Sequence, residues 1–255
     1  MKFLCFNSKP FKIIFSLALV ALIASTAVYK SSSASVYNGY ADRKLPVYGV
    51  QTDKKEIAIT FDAAYGSEET LKIIEILKEK NVTATFFLVG FWVEKYPDLV
   101  KTLDESGIEI GTHSNTHPYM SKLSSGQMQT ELSTSMELIK NITGKEVTLF
   151  RPPYGDYNDT LISVAESLNL QTIQWSVDSL DWKGLTTSQM MARITPSVEN
   201  GSIILFHNNS DHIVEALPVI IDTLVEQGYS LVHVTDLVYK DNYTINNNGI
   251  QIKNQ

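Results

Sequence analysis

The chain has 255 residues, 44% of them hydrophobic and 19% charged, which is enough apolar material for one folded domain with a sizeable core. Its net charge is −7, and setting aside residues 1–35 with their four lysines leaves 17 basic and 28 acidic residues, a net of −11. Such a balance disfavours nucleic acid and anionic membrane surfaces as partners. The only cysteine, Cys5, stands ahead of the first apolar run, so core packing and not an intrachain disulfide must hold the fold.

In chain order, residues 1–35 read as an export segment. Lys2, Lys9 and Lys12 lead an uncharged run from Ile13 to Val28, and small polar residues follow to Ser35. The run is 16 residues long, shorter than the roughly 20 that cross a bilayer comfortably. Cleavage as a signal peptide and retention as an N-terminal membrane anchor both stay open, and either puts the folded part outside the cytoplasm. Residues 36–55 read as a polar connector, 56–238 as the folded domain, and 239–255 as a loosely held polar tail containing Asn246-Asn247-Asn248-Gly249.

Within 56–238, short apolar runs alternate with amphipathic stretches, the pattern of strand–helix units building a largely parallel sheet. Seven strands are predicted: Ile57–Phe61, Thr83–Val89, Ile108–Thr112, Val147–Phe150, Gln171–Trp175, Ser202–Phe206 and Ser230–Val234. Ser67 is placed to cap a helix carrying Leu71, Ile74 and Leu77, with Asn81 at its end. Ser124 with Gln127 and Thr186 with Gln189 have capping-box spacing. Gly107, Gly144 and Gly228 suit helix exits, and Pro218 predicts a last long helix starting shortly before it.

The polar residues then fall into place after the strands. Asp62 follows the first, His113 and His117 the third, Arg151 the fourth, Asp178 and Asp181 the fifth, and His207 the sixth. In a barrel of parallel strands these ends share one rim, so residues far apart in sequence converge. Two imidazoles four residues apart are ready ligands for zinc or a similar ion. The same spacing also occurs among hydrogen-bonded structural histidines, so a third ligand or a held water must come from elsewhere. His212, at a helix start, His233, inside a strand, and Met190-Met191 read as structural.

Five blocks carry a resemblance. They are Thr60-Phe61-Asp62-Ala63-Ala64-Tyr65-Gly66, His113-Ser114-Asn115-Thr116-His117, Arg151-Pro152-Pro153-Tyr154-Gly155, Asp178-Ser179-Leu180-Asp181-Trp182 and Leu205-Phe206-His207. In this order they resemble the polysaccharide deacetylases with a NodB-type homology domain, carbohydrate esterase family four, over about Glu56–Val238. The resemblance implies an α/β fold, a distorted (β/α) barrel with about seven parallel strands, and metal-dependent removal of N-acetyl groups from amino sugars. By that resemblance Asp62 is the general base, oriented by Arg151, and His113 and His117 hold the metal. His207 is the general acid, tuned by Asp181 or Asp178, and the Tyr154 N–H helps hold the oxyanion. Pro153, Tyr154 and Trp182 line the substrate side. The implied cofactor is a divalent ion, zinc with cobalt or nickel as alternatives, and the implied partner is a carbohydrate polymer such as peptidoglycan, acted on by a monomer.

One position departs from the pattern. Where the first block usually has a second aspartate that binds the metal, this chain has Ala63. Three alternatives follow: water completes the metal shell, Asp62 is recruited to it at some cost to its role as base, or no metal binds; Tyr65-Gly66 after small residues resembles sporulation-associated members. Two functions follow as expectations: an exported deacetylase of a cell-wall glycan, and a catalytically impaired glycan-binding protein on the same fold.

Overall fold

The strand Glu56–Ala63 sets the frame, because alternate side chains of an extended segment face opposite ways. Ile57, Ile59, Phe61 and Ala63 join one large apolar cluster with the helices, whereas Thr60 and Asp62 both meet the guanidinium of Arg151. The structure, a computed structural model, describes residues 43–254; the expected export segment lies outside them.

In chain order the elements are β1 (Gly49–Val50), β2 (Glu56–Ala63), α1 (Thr70–Glu79), β3 (Thr85–Leu88), α2 (Gly90–Lys95), α3 (Pro97–Glu105), β4 (Glu109–Thr112), α4 (Ser125–Thr143), β5 (Leu149–Phe150) and α5 (Asp159–Ser167). They continue with β6 (Gln171–Thr172), β7 (Val177–Asp178), α6 (Thr187–Ile194), β8 (Ile203–His207), α7 (Ile213–Glu226), β9 (Ser230–Leu231), α8 (Val234–Leu237), β10 (Tyr243–Ile245) and β11 (Ile250–Lys253). Seven strands run parallel in the order β6-β5-β4-β3-β2-β8-β7 and curl into the expected distorted barrel, with β9 paired to the start of β2. On the outer layer Phe61 stacks on Phe86 and Phe206, with ring centroids 4.7 and 5.6 Å away. Each such burial contributes about 1.5–3 kcal/mol.

Six of the seven predicted strands contain the strands of this path or overlap them. The seventh, Ser230–Val234, contributes only two strand residues off the path, and His233 and Val234 turn into α8. The seventh strand of the path is β7, only two residues long and too short to leave a period in the sequence.

Helix ends follow the local chemistry in most places. Both capping boxes form, and Gly144 ends α4 with φ of 70°. Ser67 is not a side-chain cap; its carbonyl accepts from Thr70 N–H, and α1 buries Ile73 and Ile74 while Leu71 is exposed. Helix α7 starts at Ile213, five residues before Pro218, not just ahead of it. The hydrogen bond that proline forgoes is offset by burial of Ile213, Ala216 and Leu217 upstream of it.

Of the stretches expected as connector and loose tail, residues 44–55 and 239–254 are built into the same body as the barrel. Val47 bridges Ile173 and Gly49 bridges Ser202, so this segment spans the gap between β6 and β8. Val50 N–H donates to the Gly201 carbonyl at 3.0 Å, and a Cβ on Gly201 would stand 1.8 Å from the Val50 carbonyl oxygen, which only glycine allows. Strands β10 and β11 form a hairpin whose second strand pairs with β1. Gln251 is fully buried there and bonds the backbone of Tyr239 in both directions.

Candidate active site

Register brings the site together. Asp62 and His207 are Cα partners across β2 and β8, and Thr112 pairs with Phe150, so His113 and Arg151 emerge side by side one residue later. Asp62, His113, His117, Tyr154, Asp178, Trp182 and His207 line one cleft of about 540 Å³, with Ala64, Tyr65, Trp175, Leu205 and Asn209 completing it.

Arg151, fully buried, is the hub of one wall. It donates to Asp62 Oδ1 at 2.9 Å, to Thr60 Oγ1 at 2.8 Å and to the Gln174 carbonyl at 3.0 Å, and lies 4.2 Å over the Phe87 ring. Burial by itself would raise the Asp62 carboxyl. Electrostatic interaction with His113, Arg151 and His207, together with the Arg151 hydrogen bond, outweighs it and holds the group below its usual value.

The imidazole pair faces that carboxylate. His113 Nδ1–H donates to the Arg151 carbonyl at 2.7 Å, which leaves Nε2 as an acceptor 3.5 Å from Asp62 Oδ2. Burial lowers the pKa of His113, and burial followed by the charge of His113 lowers His117 to about 4, so both are neutral at pH 7. Two acceptors thus confront each other, an arrangement that a cation, a water or a shared proton completes. His117 Nδ1 is buried with no hydrogen-bond partner, and the two rings stand edge to face with centroids 4.9 Å apart. The donor set therefore fits a divalent ion at two nitrogens. Among the described residues no group of three or more His, Cys, Asp or Glu side chains could hold one.

The loop carrying the pair is pinned by a residue that sequence reasoning passed over. Glu131 on α4 accepts from the backbone N–H of Asn115 and Thr116 and from the Thr116 hydroxyl, at 2.7–2.9 Å. Ser114 and His117 are left-handed, with φ of 69° and 59°, and Ser114 Oγ accepts from His117 N–H. Spacing in sequence gives no sign of Glu131, since it acts across a turn and a helix.

On the opposite wall Asp181, fully buried, accepts from His207 Nδ1–H at 2.8 Å and from His207 and Trp182 N–H. Burial lowers the His207 pKa, but the hydrogen bond and charge of Asp181, with the charges of Asp62 and Asp178, raise it overall. Of the two aspartates left open, only Asp181 bonds the histidine; Asp178 Oδ1 instead accepts from Leu180 N–H. Trp182 is 59% exposed and Tyr154 56%, so both present ring surface to the cleft, and Tyr154 stacks on Tyr119 at 4.4 Å. Pro153 does not belong with them: it is buried and does not line the cleft. Tyr154 follows it left-handed, at φ 60°. Ala63 is fully buried among the outer apolar residues.

A polysaccharide deacetylase family model matches residues 49–173. The peptidoglycan-N-acetylmuramic acid deacetylase PdaA of Bacillus subtilis is 34% identical over 197 residues, covering 74% of this chain and 73% of that protein. The chain belongs to the polysaccharide deacetylase family. The deacetylases of this family are hydrolases of carbon–nitrogen bonds other than peptide bonds, and those of carbohydrate esterase family four are generally metal-dependent. The chain is also 35% identical over 193 residues to YlxY of Bacillus subtilis, an uncharacterised protein, covering 76% of this chain but only 60% of YlxY. Among solved structures, wild-type BA3943 of Bacillus anthracis, described as a carbohydrate esterase family four pseudoenzyme, superposes with a TM-score of 0.74 at 33% identity, over 81% of this chain and 70% of that one. A BA3943 mutant described as having restored enzymatic activity matches at 35% identity with a TM-score of 0.73, over 81% and 72% of the two chains.

Proposed function

We propose that this protein removes N-acetyl groups from amino-sugar units of peptidoglycan or a similar cell-wall glycan. The observation that carries the reading is the pairing of a depressed carboxyl and a raised imidazole on adjacent strands of one cleft, Asp62 with Arg151 and His207 with Asp181. Amide hydrolysis needs a base for the attacking water and an acid for the departing amine. Arg151 holds Asp62 Oδ1, leaving Oδ2 to take the water proton as its oxygen bonds to the acetyl carbon. Asp181 holds His207 by Nδ1, so Nε2–H gives its proton to the amine nitrogen as the carbon–nitrogen bond breaks. Acetate and a free amino sugar result, and the Tyr154 N–H is the donor we assign to the developing oxyanion.

The cofactor in this reading is a divalent ion, zinc or else cobalt or nickel, held by His113 and His117. When bound it would supply Lewis acidity to the acyl oxygen and acidify a water. With alanine at 63, water would complete the shell, or Asp62 would be recruited to it at some cost to its role as base. The folded part works outside the cytoplasm, behind the N-terminal export or anchor segment, as a monomer on a carbohydrate polymer. Release of acetate from N-acetylated glycan by the purified protein, lost in His113→Ala and in chelator, tests the reading; release that survives both overturns the metal assignment.

A second reading, a glycan-binding protein without catalysis, is favoured by Ala63 and by likeness to BA3943. Binding of wall glycan with no acetate released under zinc, cobalt or nickel would select it.

A further inference from the structure

The cleft continues past its own walls. Trp175 and Asp178, which line it, also line a second cavity of about 460 Å³ that runs on between Ser176 and the C-terminal end of α6, where Ala192, Arg193 and Ser197 face it. A polymer bound with one unit at Asp62 and His207 has to leave the cleft somewhere, and this shared wall is a continuous way out. Arg193 is exposed there, its Nε donating to the Asp178 carbonyl at 3.4 Å, and among the described residues it forms no ion pair. Oδ1 of the Asp178 side chain accepts from Leu180 N–H, and the carboxylate forms no ion pair with Arg193. In a chain of net charge −7, Arg193 thus sets a guanidinium without a carboxylate partner beside a substrate cleft.

Resting on the deacetylase reading, we propose that Arg193 marks a subsite for a carboxylate borne by the glycan next to the unit being deacetylated. Holding Nε on a backbone carbonyl leaves the two terminal nitrogens to grip a carboxylate, a match that suits arginine better than lysine. Trp175, shared by both cavities, offers ring surface to the sugar between them. The substrate class is then an acidic amino-sugar polymer, with ether- or amide-linked carboxylates on its units, in preference to a neutral chitin-type chain.

The test measures binding of the purified full chain to two glycan fragments of equal length, one with its carboxylates free and one with them converted to methylamides. The acidic fragment binds about three- to tenfold more tightly to the wild type, a margin that shrinks with added salt. Arg193→Ala removes the margin and leaves the neutral fragment's affinity unchanged, while Arg193→Lys keeps part of it. Equal affinities in the wild type, or an undiminished margin in Arg193→Ala, overturn the subsite alone. Binding of neither fragment, with no acetate released, overturns the deacetylase reading and the subsite together.

Discussion

Replacing Arg151 with methionine removes the hub of one wall of the cleft, and the structure sets the size of the effect. The side chain is fully buried, gives hydrogen bonds at 2.8–3.0 Å to Thr60, Asp62 and Gln174, and neutralises a carboxylate whose own side chain is 7% exposed. Methionine fills much of the same volume, so the main loss is the charge. Leaving Asp62 buried without its cation costs about 3–5 kcal/mol, a large part of the roughly 5–15 kcal/mol that holds a domain folded. Asp62→Asn alone strands the guanidinium and costs a similar amount. The double variant, with neither charge, is more stable than the two single losses added together by about 2–3 kcal/mol. Urea unfolding of the four proteins at pH 7 gives the cycle directly. Additivity within about 0.5 kcal/mol would refute the claim that the two side chains form one buried, mutually dependent pair.

Three further outcomes are expected. Acetate release falls as pH rises through the raised pKa of His207, because in the proposed reaction that imidazole must carry its proton; in Asp181→Asn that alkaline limb moves to lower pH, as read from kcat/KM profiles. The metal-free protein loses stability as pH falls from about 6.5 to about 4, since His117 titrates near 4 when folded and near 6.5 when unfolded. The loss is about 1–3 kcal/mol after allowance for solvent screening, and urea midpoints in His117→Gln show a correspondingly flatter pH dependence. Glu131→Ala releases the N–H groups of Asn115 and Thr116 and weakens metal binding about 10- to 100-fold with little change in the helical circular dichroism signal, while Glu131→Gln recovers part of it.

Much of this protein was legible before any coordinates, for a physical reason. The alternation of apolar runs with capped amphipathic stretches is written locally, and parallel strands joined by helices put every strand end on one rim. Asp62, His113, Arg151 and His207 could therefore be assigned to one cleft although they span 145 residues of chain. Capping boxes at Ser124 and Thr186 were equally local.

What tertiary structure alone decided were pairings between segments with no shared local pattern. Asp181 and not Asp178 serves His207, with a left-handed Leu180 between the two aspartates, and Pro153 is buried beside a left-handed, exposed Tyr154. Two-residue strands such as β1 and β7 exist only because a neighbour offers its backbone groups, so nothing in their own composition announces them. For the same reason residues 47–50, inside the stretch read as a connector, joined the barrel: their N–H groups are met by the distant carbonyls of Thr172, Gly249 and Gly201, and the hairpin 243–253 is tied to the same body through β1, a distance along the chain that local periodicity cannot encode.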